Sequence, residues 1–553
     1  MQFYQAAPEL DHPYEGDHLL KSYLKRLLPS AIFNEIEFDL KRFGSRVLNE
    51  MEPLAQEAEA SLPVHIPFSP WGKRIDHIKV SSAWTRLHEI AAEEGIVATG
   101  YERAQGEFSR IYQFAKLYLY HPSSAIYSCP LAMTDGAAKV IELFGSSEMK
   151  ERAYRHLTSR DPKEFWTSGQ WMTERTGGSD VGGTSTVARM DNGTYKLYGD
   201  KWFTSATTSQ MAMTLARIEG DEKLSLFYLE LRDDKGELQN IHINRLKDKL
   251  GTKALPTAEL TLSGVPAVLV GERGKGVKTI SNLFNITRLY NACCAVGYMY
   301  RGISLAKDYS KKRVAFGRPI IQHGLHQQTL AELQVRFEAS FLMTFHAAYL
   351  LGKEEMGKAS SIESALLLLL IPLVKLYTAK EGVAIASEVI ESFGGAGYVE
   401  DTGLPQLLRN AQVLAIWEGT TNVLSLDALR AIQKEKAGEC FIQDLNLRLE
   451  KIKHPRLSEI KNKISKASAS VVTSIGNLSD GEDLNTAARK ISLVLSRILG
   501  ASFLLEQADW ELIHESDPRG VIVLEHFLKK DLLEEIEGSS EIRDEYQRIL
   551  NIK

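Results

Sequence analysis

Apolar residues recur at helical spacing from about Asp17 to Arg160. In LLKSYLKRLLPSAIFNEIEFDLKRFGSRV, Leu19 to Val47, they fall at i, i+3, i+4 and i+7, interrupted at Pro29 and Gly44, which predicts amphipathic helices. Near Glu164 the period changes. TYKLYGDKWFTSA, MAMTLARI, KLSLFYLEL and AELTLSGV alternate, or carry β-branched and aromatic residues, between turn signals such as Asp-Asn-Gly. They predict a compact β domain running to about Gly276. Helical spacing returns at Val277 and persists towards Lys553, broken at GGAGY, Gly394 to Tyr398, with a further loop expected at GNLSDGEDLN, Gly476 to Asn485. The apolar residues just before Glu418 read as a strand-like run. The order predicts an α+β, mainly α protein in four segments: 1–163 helical, 164–276 β, 277–436 helical, and 437–553 additional helices.

A chain of 553 residues exceeds one ordinary core, and its 44% apolar and 25% charged residues are those of a globular protein. The formal net charge of −5 offers no general attraction to nucleic acid or anionic membrane, and residues 431–553 hold 18 Lys/Arg against 21 Asp/Glu. The four cysteines, Cys129, Cys293, Cys294 and Cys440, lack metal-type spacing, and the adjacent pair reads as helix packing. A reducing compartment fits that usage. The start, MQFYQAAPELDHPYEGDHLL, is acidic and lacks the apolar stretch of a leader. The longest apolar run, Ala365 to Val374, is shorter than the ~20 residues of a membrane span and contains Pro372. The expectation is a cytoplasmic protein with no membrane span.

Four stretches are candidates for chemistry. WMTERTGGSDVGG, Trp171 to Gly183, brings glycines beside Ser, Thr and Asp, so backbone N–H groups can approach a ligand closely. KWFTSA, Lys201 to Ala206, is a strand with an aromatic and two hydroxyls. KKRVAFGRPI, Lys311 to Ile320, places Arg313 and Arg318 around Phe316-Gly317, read as the end of a helix. The fourth runs from Glu391 to Val423 and joins FGGAGY to AIWEGTTNV. No G-x-G-x-x-G follows a strand, and His323 and His326 of HGLH have no acid or cysteine at ligand spacing, so they read as structural and no metal is expected.

In this order and spacing the four stretches resemble the acyl-CoA dehydrogenase family over about residues 20–430. The matching elements are Thr173-Glu174-Arg175-Thr176-Gly177-Gly178-Ser179-Asp180, Trp202-Phe203-Thr204, Arg313 to Gly317, Phe393 to Tyr398 and Trp417-Glu418-Gly419-Thr420. The Gly-Gly-Ser-Asp form, Trp417 and the extra C-terminal helices resemble most the long AidB-type branch, flavoproteins of the bacterial alkylation response, and its animal relatives. The resemblance implies a middle β-barrel between helical domains, a homotetramer built from dimers, and non-covalent FAD. It implies Met172, Thr173, Gly178 and Ser179 beside the flavin and the thioester. Trp202 and Thr204 are expected against the isoalloxazine, with the Thr204 hydroxyl near N5. Arg313, Phe316, Gly394 and Gly395 are expected on the adenosine-diphosphate part of the neighbouring subunit's FAD, and Thr420 and Asn422 at the flavin. Ser179, Asn285, Arg288 and Gly419 are implied on the acyl-CoA side.

Two positions depart from the family pattern. Asn285 stands where an acid often contacts CoA, and Gly324 stands where a glutamine often contacts FAD, with His326 or Gln327 as replacements.

Removing a proton from Cα and a hydride from Cβ of a thioester needs a carboxylate and a hydride acceptor that no side chain supplies. Glu418 is the expected base. Thr287 occupies the alternative position that some family members use, and it cannot act as a carboxylate. The expected activity is therefore FAD-dependent acyl-CoA dehydrogenation to a 2-enoyl-CoA, with electron-transfer flavoprotein as the family's acceptor. Two other readings are an AidB-like flavoprotein with a nucleic-acid-binding or protective role, and a fatty acyl-CoA-sequestering protein of low turnover.

Overall fold

The computed structural model of the chain describes residues 5–478, 481–529, 532, 536 and 539–550. They fall into two compact units, one of residues up to Lys41, Gln105–Phe114 and Asn291 onward, the other of Arg42–Ala104 and Ala115–Tyr290.

The second unit carries the strands. A hairpin of β1, Val64–Phe68, and β2, Arg74–Lys79, lies within the region expected to be wholly helical. Half of its cue was present: VHIPF alternates ahead of Ser-Pro-Trp-Gly, a turn sequence, whereas RIDHIK does not, its inward positions being Asp76 and Ile78. The main sheet holds β3 (Ser168–Gln170), β4 (Val187–Asp191), β5 (Thr194–Ser205), β6 (Met211–Ile218), β7 (Leu224–Glu230), β8 (Ile241–Leu246) and β9 (Thr257–Val270). The pairings β6–β4–β5–β9–β7–β6 close on themselves, which makes a five-strand barrel, with β3 added parallel to β6 and β8 antiparallel to β9. Closure removes the open edges that a free sheet would expose. Its interior is filled by alternate residues, among them Leu197, Ala212, Ala216, Phe227, Leu229, Ile243, Leu260 and Val265, with Trp171.

The long strand β5 is irregular. Its register on β9 shifts between Leu197 and Tyr198 and again between Lys201 and Thr204. A bulge re-aims the side chains around it, and the second one carries Trp202 and Phe203.

The first unit is helical, and its described helices include Gly324–Glu355, Ser361–Ser392, Leu404–Leu414, Thr421–Lys434 and, beyond 436, Ala437–Glu450, Ser458–Gly476, Gly481–His514 and Arg519–Phe527. Ser360 and Glu363 form a capping box that starts Ser361–Ser392. The run Ala365–Val374 is the middle of this 32-residue helix. Among the described residues it and Gly481–His514 are long and apolar enough to cross a membrane, yet 72% and 83% of their apolar windows lie buried inside the fold. The apolar run before Glu418 is not a strand: Gln406 to Leu414 belongs to a helix opened by Pro405 at its first turn. Of the loop expected at Gly476–Asn485, residues 479 and 480 lie outside the described residues.

Candidate functional site

The candidate residues divide between the units. In the barrel unit, the segment from Trp171 to Gly183 leaves the end of β3 and returns as a glycine-rich loop. Its glycines answer a conformational need at Gly177, whose φ of +124° excludes most side chains. A Cβ on Gly178 would come within 2.5 Å of the Thr173 hydroxyl. Gly178 and Ser179 are exposed and Thr173 is half-buried. Met172 is different: its side chain packs into the core with Met211, Met213 and Leu215, so only its backbone is left to face a ligand.

The loop is anchored by an acid that the motif contains but that sequence reasoning gave no role. Glu174 is buried and pairs with the fully buried Lys201 at 2.8 Å. It also accepts from the Ser185 N–H and hydroxyl, both at 2.6 Å, and from the Thr186 hydroxyl. Burial pushes the Glu174 carboxyl up, but the Lys201 ammonium and the hydroxyl donors outweigh it and hold the group at about 2. A second tie runs through the backbone, where the Trp202 N–H donates to the Thr173 carbonyl at 2.9 Å. The signal was in the sequence, as one acid in a glycine-rich loop and one lysine beside the Trp-Phe-Thr strand, without the pairing.

Trp202 sits half-buried on the bulge, with the Lys247 ammonium 3.7 Å from its ring centroid and the Arg175 guanidinium at 5.3 Å. Thr204 departs from expectation. It is fully buried, and its hydroxyl donates to the Ala258 carbonyl of β9 at 2.7 Å, because the bulge turns position 204 onto the neighbouring strand. In the same unit, Asn285 and Arg288 lie on the first turns of the helix Gly276–Lys312, half-buried, with Thr287 buried between them and its hydroxyl on the Leu283 and Phe284 carbonyls.

In the helical unit, Trp417 closes the helix Leu404–Leu414 by donating its N–H to the Val413 carbonyl at 2.9 Å. The next two residues, Glu418 and Gly419, have φ of +59° and +107°. Left-handed backbone is the ordinary way to end a helix, with glycine the ordinary occupant. Here a half-buried glutamate takes that place. Thr420 then begins Thr421–Lys434, and its exposed hydroxyl makes no capping hydrogen bond to that helix. Asn422 is turned to Arg489 of the Gly481–His514 helix, whose guanidinium donates to Asn422 Oδ1 at 3.1 Å. Below the turn, the buried Lys375 donates to the Gly419 carbonyl at 2.6 Å. Neither cation was found from the sequence.

Phe316-Gly317 does not end a helix. The helix stops at Lys312, and the two residues form the tip of a short hairpin of Val314–Ala315 on Arg318–Pro319. Both have positive φ, +52° and +80°, the geometry of a type I′ turn. Phe316 is 96% exposed. Arg313 donates to the Gln5 side chain at 2.9 Å. His326 is held by Ser310 at 2.7 Å, and the Gln327 N–H bonds the His323 carbonyl. Gly394, at φ +59°, and Gly395 are exposed, and a Cβ at either would meet nothing; the crowded position is Gly397, packed on the Ile390 carbonyl.

The barrel unit by itself offers an open glycine loop and a half-buried indole with cations beside it, and the helical unit by itself an exposed Thr420 hydroxyl and an exposed aromatic tip at Phe316; each set suits a flat, anionic cofactor such as FAD. Thr204 and Asn422 are the two whose polar groups are already engaged.

Comparison with known proteins points the same way. Residues 7–161 match the adaptive response protein AidB N-terminal domain, 169–265 the acyl-CoA dehydrogenase middle domain, 274–433 the acyl-CoA dehydrogenase C-terminal domain, and 437–548 an acyl-CoA dehydrogenase 11 C-terminal domain-like model. Acyl-CoA dehydrogenase family member 11 of Caenorhabditis elegans is 45% identical over 545 residues, covering 93% of this chain and 87% of the relative. The AidB protein of Escherichia coli strain K12 is 29% identical, covering 69% and 71%. Among solved structures, Caenorhabditis elegans ACDH-11 in complex with C11-CoA superimposes with a TM-score of 0.95 at 42% identity, over 99% of this chain and 97% of that one. The Bd2924 apo-form gives 0.87 at 51% identity, over 92% and 100%.

Proposed function

The chain belongs to the acyl-CoA dehydrogenase family, and from that premise we propose that it oxidises an acyl-CoA thioester to the 2-enoyl-CoA with Glu418 as the base. FAD, when bound, takes the β-hydride, chemistry outside the reach of any side chain. The chain's own residues do the rest. The Glu418 carboxylate accepts the α-proton, and Arg288 and Asn285 face the CoA ester. Trp202, Thr420 and the backbone of the 173–179 loop bound the flavin, and Phe316, Arg313 and the Gly394-Gly395 turn hold the diphosphate end of the FAD of a neighbouring subunit.

The observation that carries this reading is the conformation of Glu418. A glutamate at φ +59° occupies a place where glycine would relieve roughly 1 kcal/mol of backbone strain, and such outliers are retained where a side chain has work to do. The C11-CoA bound to the 42% identical Caenorhabditis elegans structure supports a medium-chain acyl-CoA as substrate class. The four cysteines, none of them in a disulfide, support a reducing, cytoplasmic setting.

The test is anaerobic reduction of the purified flavoprotein by saturated acyl-CoAs of graded length around eleven carbons. The wild type bleaches, and Glu418→Gln slows bleaching by at least ~100-fold, as removal of a general base does. If no chain length reduces the flavin, the dehydrogenase reading is wrong, and tight acyl-CoA binding without reduction would identify a sequestering protein instead.

A further inference from the structure

Lys375 sits in the most apolar helix of the chain, Ser361–Ser392, flanked by the buried Leu373, Val374 and Leu376. Its own side chain is fully buried. A lysine in such surroundings is destabilising unless its ammonium is met by acceptors, so its presence calls for a specific partner. Among its contacts, Nζ donates to the Gly419 carbonyl at 2.6 Å. That carbonyl belongs to the residue immediately after Glu418, and the two residues form the left-handed turn between the helices Leu404–Leu414 and Thr421–Lys434.

We propose that Lys375 is a positioning residue for Glu418: its hydrogen bond to the Gly419 carbonyl fixes the plane of the peptide after the base and so the direction from which the carboxylate approaches the α-proton. The inference rests on Glu418 being the base and deepens that reading. Three features support it. Gly419 has φ of +107°, outside the range of most side chains, and at that φ its carbonyl meets Lys375. A Cβ at Gly419 would come 3.2 Å from Leu424, tighter than ordinary contact, so glycine is the residue that fits there. The Trp417 N–H is held by the Val413 carbonyl and the Thr420 carbonyl accepts from the Leu424 N–H, so each end of the link is tied to its own helix and the peptide between them takes an anchor from outside. Lys375 comes from a third helix and supplies one.

A positioning role changes rate without changing affinity, since displacing a reacting group by about 1 Å can cost on the order of 100-fold. Lys375→Met keeps the length and apolar body of the side chain and removes the donor. The expected result is unchanged acyl-CoA affinity and FAD content, a 10- to 100-fold slower flavin reduction, and faster amide hydrogen exchange confined to residues 415–424, read on the apoprotein as well as the holoprotein. A K375M protein that reduces its flavin at the wild-type rate, or whose amide exchange at 415–424 is unaltered, overturns the proposal. Should K375M fail to fold, Gly419→Ala breaks the same contact from the half-exposed loop, with slower reduction and faster local exchange expected and wild-type behaviour overturning the idea. Glu418→Gln run alongside separates the two readings. If E418Q is slow while K375M is not, only the positioning role falls; if E418Q is as fast as wild type, the assignment of the base falls with it.

Discussion

Replacing Glu174 by glutamine removes one charge from the glycine-rich loop and leaves Lys201 buried beside a neutral amide. Lys201 is 0% and Glu174 2% exposed, so solvent cannot take over the lost interaction. The native environment holds the Glu174 carboxyl at about 2, against a usual 4.5. That displacement belongs to all the partners of the carboxyl, Lys201, Ser185 and Thr186, while burial pulls the Lys201 ammonium the other way; the size of the effect follows from buried ion pairs in general, where removing one partner costs about 3–5 kcal/mol. The expected loss for E174Q is therefore ~3 kcal/mol at neutral pH, read as a lower urea midpoint for the barrel unit by fluorescence of Trp171 and Trp202.

The pH dependence follows from the sign of the shift. A carboxyl whose pKa is depressed on folding contributes stability that is complete above its unfolded value of about 4.5 and fades as pH falls towards 2. Wild type and E174Q should thus differ fully at pH 6–7 and converge as the solution is acidified through that window. The double variant Glu174→Gln with Lys201→Met removes both charges and leaves an amide oxygen to accept from Ser185 and Thr186, so it should recover most of the loss seen in the single variant. A single variant within ~0.5 kcal/mol of wild type at neutral pH, or a double variant as unstable as the single one, would refute this account of how the loop is held.

Two further outcomes follow from backbone geometry. Gly397→Ala places a Cβ 1.8 Å from the Ile390 carbonyl, which the helix end cannot accommodate without moving; a loss of about 1–3 kcal/mol is expected by thermal unfolding of the holoprotein. Phe316→Gly keeps the hairpin tip at positive φ and removes a side chain that is 96% exposed. Folding stability should move by less than ~1 kcal/mol, while FAD retained after gel filtration falls; full retention would remove Phe316 from the cofactor site.

Much of the fold could be read from the chain because period and composition change sharply at its boundaries. The helices repeat because one face of each is buried, while Met211–Ile218 and Leu224–Glu230 are buried on both faces and show as short runs rich in apolar residues between turn signals. The hairpin Val64–Lys79 escaped because its two short runs lie inside a long helical context and only the first alternates. The candidate site was legible as residue types: a carboxylate at Glu418, an indole at Trp202 and a guanidinium at Arg313. It was not legible where function depends on which way a residue points. Met172 faces the core and Thr204 faces β9 because the 201–204 bulge shifts the register there, and a one-residue shift moves a side chain to the other face. Lys375 was hidden for a different reason. In sequence it is one cation after a leucine-rich run, and it donates to a backbone carbonyl 44 residues on, which leaves no residue-type signature.

Phe316 and Glu418 share a local arrangement that bears on how such sites persist. Each is a bulky residue in left-handed backbone, and each is followed at once by a glycine also at positive φ, Gly317 at +80° and Gly419 at +107°. A turn of this kind can accept glycine at both positions, so the chain had the less strained residue within its reach. Keeping phenylalanine and glutamate instead costs roughly 1 kcal/mol of backbone strain apiece, part of which glycine's greater loss of chain entropy on folding would offset. That cost is not recovered by burial at Phe316, which is 96% exposed. At Glu418 the turn is secured from beneath, by Lys375 on the adjoining carbonyl. The two sites therefore solve the same problem differently. One leaves an aromatic projecting, with stability to be gained only when something covers it. The other fixes a carboxylate in a strained pose, so that its direction is set before any substrate arrives.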